Sequence, residues 1–224
     1  MHRSSNREAR FRQINRFFYP FYFTVNAACI LVYALRADAY HLGIALGTLL
    51  IPLLPELIYR IFGLRRVYQL DFFVLAFSLL GYTLGAVVDL YQRVPFFDKA
   101  VHMLSGVFVS MLLLCLFCAV CPSHMPGRGE RLLAVLFVFF GSMAVAGLWE
   151  ICEYTVHALT GRDVQQVLST GVGDTMQDMI VCLIGTLLYL PQVLRLCKGE
   201  TTLLNGVAQA FVEKNAEFPE RLNG

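Results

Sequence analysis

The stretch LLAVLFVFFGSMAVAGLW, residues 132–149, decides the fold of this chain. It carries no charge, and a helix needs about 20 mostly apolar residues to cross the roughly 30 Å hydrocarbon core of a bilayer. Comparable stretches predict six membrane-spanning helices in all, at residues 17–35, 42–62, 70–91, 100–121, 132–154 and 175–196. Because backbone groups in lipid must hydrogen-bond within the protein, we expect an all-α, polytopic membrane helical bundle.

The composition excludes a water-soluble domain. Hydrophobic residues make up 57% of the 224 positions and charged residues 15%, with a mean hydropathy of +0.61. Soluble domains average roughly 45–50% apolar and about 25% charged residues. The sequence therefore divides into a basic cytoplasmic segment (1–16), one transmembrane domain (17–196) and a cytoplasmic tail (197–224) that forms at most one short surface helix.

The basic residues predict the orientation of the bundle. With six spans, 14 of the 18 Lys and Arg residues fall on one side of the membrane, and only Arg36, Arg93, Lys99 and Arg162 fall on the other. Cytoplasmic loops carry the excess of Lys and Arg, so both termini are expected in the cytoplasm. The start of the chain imitates a signal peptide, but its long apolar run favours an uncleaved first helix.

Ionisable side chains gather at the outer end of the last four predicted helices. Counting a rise of 1.5 Å per residue from the cytoplasmic ends places Asp89, Glu150 and Asp178 about 26–28 Å away. Asp98 and His102 open the fourth helix at the same level. Charged groups inside a bilayer cost roughly 2.5–3.5 kcal/mol each at the helix centre, and by default they mark a functional site.

Spacing places these residues on shared helix faces. The sets are Asp98 with His102, Glu150 with Glu153 and His157, and Asp174 with Gln177 and Asp178. Residues three, four or seven apart lie on one face, and such a polar face should turn away from lipid. The sequence thus predicts an outward-opening pocket formed by these side chains together with Asp89.

The charge balance of this pocket indicates what it binds. Seven carboxylates face only three cations near this end, so a bound cation, protonated carboxyls or a cationic substrate group is required. His and carboxylate ligands suit zinc, manganese or iron. We predict metal ligation by His102, Glu150, Glu153, Asp174 and Asp178, catalysis by Glu150, Glu153, Asp98 and His102, and substrate binding by Asp89, His157 and Gln177. Alternatively, the groups only pair with one another and with water.

Three motifs carry a resemblance to a known family. PFFDKAVHMLSG, WEICEYTVHAL and GVGDTMQDMIVCLIGTLL resemble the YjdF-like bacterial inner-membrane proteins, whose function is uncharacterised. The positions that match are Asp98, His102, Gly106, Glu150, Glu153, Gly173, Asp174, Asp178 and Met179. The first motif also resembles VanZ-like proteins of glycopeptide resistance, although the Asn expected after Asp178 is missing. The resemblance implies a bacterial plasma membrane and no particular reaction.

Three functions remain open from the sequence. The first is an enzyme, metal-dependent or acid–base, that acts on a lipid or cell-envelope precursor at the outer leaflet. The second is a cation or proton transporter, which the apolar inner half of the bundle and the lack of an inverted repeat disfavour. The third is a binding protein for an envelope molecule. The Arg-rich start precedes a membrane span and indicates contact with anionic lipid, not with nucleic acid.

Overall fold

The computed structural model describes residues 2–121, 125–163 and 167–215, and within these ranges every regular element is a helix. In chain order they are α1 (His2–Leu35), α2 (Ala39–Thr48), α3 (Leu53–Ile61), α4 (Tyr68–Ser78), a π-helical segment (Leu79–Val87), α5 (Leu90–Arg93), α6 (Phe97–Val120), α7 (Arg131–Thr160), α8 (Val167–Thr170), α9 (Gly173–Leu196) and α10 (Gly206–Lys214). Residues 216–224 of the predicted tail lie outside the described residues.

The membrane-spanning architecture is confirmed. Within the described ranges, five helices are long and apolar enough to cross a bilayer, and the number is six if α2 and α3 together form one span. The first of them extends over the basic segment, because α1 already begins at His2. The predicted boundary at residue 17 is therefore a change in polarity along one continuous helix.

The single helix predicted at 42–62 is wrong. The chain forms α2 and α3 there, bent by 41° at a short break, and Pro52 stands at the N-cap of α3. Proline has no N–H to donate and disfavours helical geometry in the residue before it, so the helix stops and restarts. At the other end of α2, Asp38 accepts the backbone N–H of His41 at 3.1 Å, which lowers the pKa of this carboxyl.

The third predicted span also departs from a regular helix. After α4 the chain widens into the π-helical segment, whose last carbonyl accepts the hydroxyl of Tyr33 at 2.5 Å. Gly85 lies in this segment against the ring of Tyr91, and a Cβ there would overlap the ring. Asp89 then takes a left-handed conformation (φ 68°), which Asp tolerates better than most residues, and the helix ends.

The described residues form two compact units, one within residues 1–98 and 209–224 and the other within residues 99–208. The first unit contains a buried network of uncharged polar side chains. The Tyr22 hydroxyl donates to the carbonyl of Thr48 at 2.7 Å and lies 2.8 Å from the hydroxyl of Ser78, while the Asn26 side-chain oxygen accepts from Thr48 (2.6 Å) and Thr83 (3.0 Å). In an apolar environment each of these groups needs a partner, and the network supplies one where α2 ends.

A second network of the first unit joins both ends of the chain. Glu8 accepts the backbone N–H of Tyr68 at 3.0 Å and of the next residue at 3.1 Å, at the start of α4. Lys214 pairs with Glu8, and the Asn215 side chain bonds both backbone groups of Arg65. The short helix predicted in the tail is present as α10. It buries Phe211, and Lys214 at its end belongs to this network.

The second unit is organised by a close crossing of α6 and α9. A Cβ on Gly185 would overlap the carbonyl oxygen of Met103 and lie 3.3 Å from the Cα of Gly106, and a Cβ on Gly106 would overlap the carbonyl of Cys182. Small residues permit such backbone approach between membrane helices. Alongside, α7 packs against α9, where the hydroxyls of Ser142 and Thr186 lie 2.8 Å apart.

We predict that Gly185→Ala separates α6 from α9. The added methyl group has no space to enter, and overpacking of this kind costs about 1–3 kcal/mol. Thermal unfolding of the purified protein in detergent should show a lower midpoint. Gly147→Ala on α7 is the matched control, since nothing lies within 4 Å of its Cβ position. Equal midpoints for both variants would contradict the crossing.

Candidate functional site

The centre of the site is Lys99, in the first turn of α6. Its ammonium donates to Asp174 Oδ1 at 2.6 Å and to Asp178 Oδ1 at 2.8 Å. The two carboxylates stand one turn apart on α9, and both residues are buried, with exposures of 6% and 1%. One cation therefore neutralises part of the charge on two buried acids, as a buried ion pair requires.

His102 lies beside this ionic cluster, one turn further along α6. Its Nε2 is 3.9 Å from Asp178 Oδ1, and its Nδ1 is 3.9 Å from the sulfur of Cys182. The Cys182 thiol donates to the backbone carbonyl of His102 at 3.1 Å and lies 3.2 Å from the hydroxyl of Ser105. The imidazole is thus placed between a carboxylate and a thiol.

Among the described residues, one group has the geometry to hold a metal ion. Asp98, His102 and Asp178 each offer a ligand atom, and these atoms all lie within 4.8 Å of one another. Asp98 precedes His102 by one turn of the same helix, so this part of the group follows from helical spacing alone. Asp174 is not a member of the group, although the sequence predicts it as a ligand.

The other predicted site residues take different positions. Glu150 is buried on α7, and Glu153 accepts the indole N–H of Trp149 at 2.9 Å; neither joins the ligand group. His157 Nδ1 lies 3.4 Å from Asp163 Oδ1. The catalytic and ligand roles of Glu150 and Glu153 stay predictions.

Gln177 and Asp89, both predicted to bind substrate, have different surroundings. Gln177 is exposed, because adjacent residues of an α-helix are offset by about 100° and its neighbour Asp178 takes the buried side of α9. Asp89 belongs to the first unit and pairs with Arg93 at 3.4 Å. Also in the first unit, Glu56 and Arg60 form an ion pair at 3.0 Å.

Sequence reasoning missed the central role of Lys99 and the presence of Cys182 and Ser105. In the sequence, Lys99 is only one of three cations near this end of the bundle. A signal was present, because Cys182 follows Asp178 by four residues and Ser105 follows His102 by three, which places each pair on one helix face. What spacing does not give is the pairing of the two faces across different helices.

The arrangement can exchange protons. It combines a primary ammonium, two carboxylates and an imidazole. The ammonium donates hydrogen bonds to both carboxylates, and the imidazole lies 3.9 Å from one of them. Such groups often act as general acids and bases. Burial strengthens the electrostatic coupling among them, because the surrounding dielectric is low. A change of protonation at one group therefore alters the charge balance of all four.

The comparison with protein families agrees with this membrane architecture. A family model described as "Predicted membrane protein (DUF2238)" matches residues 19–198. The chain belongs to this family. The match confirms the resemblance to YjdF-like membrane proteins, while the likeness to VanZ-like proteins is not confirmed. No curated protein and no solved structure matches this DUF2238 protein.

We predict that Lys99→Leu strongly destabilises the DUF2238 protein. Removing the ammonium leaves Asp174 and Asp178 as buried charges without their shared counter-ion, and breaking a buried pair in this way costs about 3–5 kcal/mol. Lys198→Leu, at an exposed position beyond α9, should be close to neutral. Thermal unfolding in detergent measures both, and a small effect of Lys99→Leu would contradict the buried pairing.

Proposed function

We propose that this DUF2238 protein is a bacterial plasma-membrane enzyme whose outward-facing site performs acid–base chemistry on a lipid or cell-envelope precursor. The observation that carries the proposal is the buried ammonium of Lys99, shared by Asp174 and Asp178 with His102 beside them. Bundle packing does not need four ionisable groups in one place within membrane helices. Because burying them is costly, a function that uses the charges is the better account.

The position of the cluster along its helices supports a substrate at the outer leaflet. Lys99 and Asp174 lie in the first turns of α6 and α9, at the ends opposite to Arg195 and to the loop before Arg131. A headgroup or an envelope precursor at the membrane surface reaches such a level without crossing the apolar core. His102 would then serve as general base or acid, with Asp178 orienting its imidazole and Lys99 binding an anionic group of the substrate.

The orientation that this proposal needs has both termini in the cytoplasm. The excess of Lys and Arg on one side favours it. The ion pair between Glu8 and Lys214 adds support, because the two ends of the chain must then be on the same side of the membrane. An even number of crossings follows, so α2 and α3 would count together as one bent span.

A metal-dependent reaction is the second candidate, and one observation favours it. The ligand atoms of Asp98, His102 and Asp178 lie within 4.8 Å of one another. A divalent ion held there would activate a water molecule or polarise a carbonyl or phosphoryl oxygen of the substrate.

The enzyme proposal is tested by profiling lipids and envelope precursors in cells that lack the protein. We expect one precursor to accumulate, and the wild-type chain to restore its normal level. Asp178→Asn and His102→Gln, expressed in equal amounts, should fail to do so because they remove the groups that transfer protons. Glu213→Gln, which changes an exposed carboxylate of α10, is the control and should restore the level fully.

Two results would contradict an enzyme. Restoration of the precursor level by Asp178→Asn would separate the cluster from the activity. An unchanged precursor profile, combined with binding of one envelope molecule or with cation flux in proteoliposomes that depends on Asp178, would favour the binding protein or the transporter instead.

The topology is tested by reporter fusions. Green fluorescent protein at the C-terminus should fluoresce, since it folds in the cytoplasm, and alkaline phosphatase inserted after Gly161 should be active, since it needs the oxidising outer side. An active phosphatase at the C-terminus would overturn the orientation and place the ionic cluster on the cytoplasmic side.

A further inference from the structure

We propose that Lys99 is a tethered counter-ion that holds the place of a divalent metal, and that Asp174 keeps its ammonium when the metal is bound. The inference rests on the site of the proposed function and adds a regulated metal to it. It assigns different roles to two aspartates that the sequence treats alike: Asp178 is a ligand shared by lysine and metal, and Asp174 is the resting position of the lysine.

Competition follows from the use of one oxygen atom. Asp178 Oδ1 accepts a hydrogen bond from the Lys99 ammonium at 2.8 Å. The same oxygen lies 3.9 Å from His102 Nε2. Zinc lies about 2.0–2.2 Å from nitrogen and oxygen ligands, so two ligand atoms of one ion are separated by no more than about 4.4 Å. The 3.9 Å between Asp178 Oδ1 and His102 Nε2 satisfies this limit. An ion bound between Asp178 and His102 would therefore contact the oxygen that the ammonium now occupies.

Asp174 offers the ammonium an alternative place. It lies 2.6 Å from Lys99 Nζ and is not part of the ligand group. Lysine has a flexible stem with three rotatable donors, so the ammonium can leave Asp178 and remain bonded to Asp174. A displaced lysine with no partner would be a buried, uncompensated charge, and the second carboxylate removes that cost.

The ligand set indicates which class of metal would bind. One imidazole and two carboxylates suit zinc, manganese or iron, whereas magnesium and calcium prefer oxygen ligands alone. The ring of His102 also has Cys182 near its second nitrogen, and metal-binding histidines are normally oriented through that atom.

The test is a zinc titration of the purified protein after metal removal, without substrate. The decisive variant is Lys99→Leu combined with Asp174→Asn, which removes one positive and one negative charge and leaves all three ligands. We expect it to bind zinc at least about tenfold more tightly than the wild type, because the competing cation is gone. Adding Asp178→Asn to this background should abolish the binding.

Two further variants keep the proposal falsifiable if the double variant does not fold. Lys99→Arg retains the cation and should leave zinc affinity low. Asp174→Asn alone removes the resting position of the ammonium, so zinc affinity should fall although no ligand is lost. Unchanged affinity in Asp174→Asn, or equal affinity of wild type and double variant, overturns the proposal. Absence of zinc binding in every variant does the same.

The outcome is separable from that of the proposed function. Zinc binding is measured without a substrate, and precursor levels are measured in cells. If zinc does not bind while Asp178→Asn still causes a precursor to accumulate, the tethered counter-ion is excluded and the acid–base enzyme stands. If zinc binds as expected and no precursor changes, the metal site stands without that reaction.

Discussion

The backbone contact between α6 and α9 is the constraint on which the candidate site depends. Gly106 and Gly185 let the two helices cross without intervening side chains, and this fixes the distance between the first turns of both. Lys99 then reaches two carboxylates of α9 at once, and His102 lies beside one of them. A larger residue at the crossing would spread the helices. The ionic contacts would then be lost first, because they need separations near 3 Å.

The low dielectric of the membrane explains why the cluster contains both signs. Isolated charges in lipid are expensive, and pairing offsets much of that cost. The acids that the sequence places at this end outnumber the cations, and the acids have different partners. Lys99 pairs with Asp174 and Asp178, Arg93 pairs with Asp89, and the Trp149 indole donates a hydrogen bond to Glu153. The Lys99 cluster joins ionisable groups of two helices, α6 and α9.

In the first unit, neutral side chains supply hydrogen bonds where a helix breaks. Where α2 breaks, backbone carbonyls lose their helical partners, and Tyr22, Asn26 and Thr48 provide hydrogen bonds without introducing charge. Charged pairs occur instead toward its ends, in the contacts of Glu56 with Arg60 and Arg66 and of Glu8 with Lys214. Buried charge also occurs in this unit, where Asp71 is 1% exposed and pairs with Arg66 at 3.3 Å.

The sequence by itself determined that the chain lies in a membrane, that it is helical and which residues share a helix face. These properties depend on local composition and on a period of 3.6 residues. Long apolar runs predicted the spans, and the spacing of Asp98 with His102 and of Asp174 with Asp178 predicted which groups share a face. Only the tertiary structure decided the break at Pro52, the exposure of Gln177 and the pairing of Lys99 with the acids of α9. Those features depend on which helices touch and how closely, and that is set by contacts between residues 75 or more positions apart, such as Lys99 and Asp174, which no local pattern encodes.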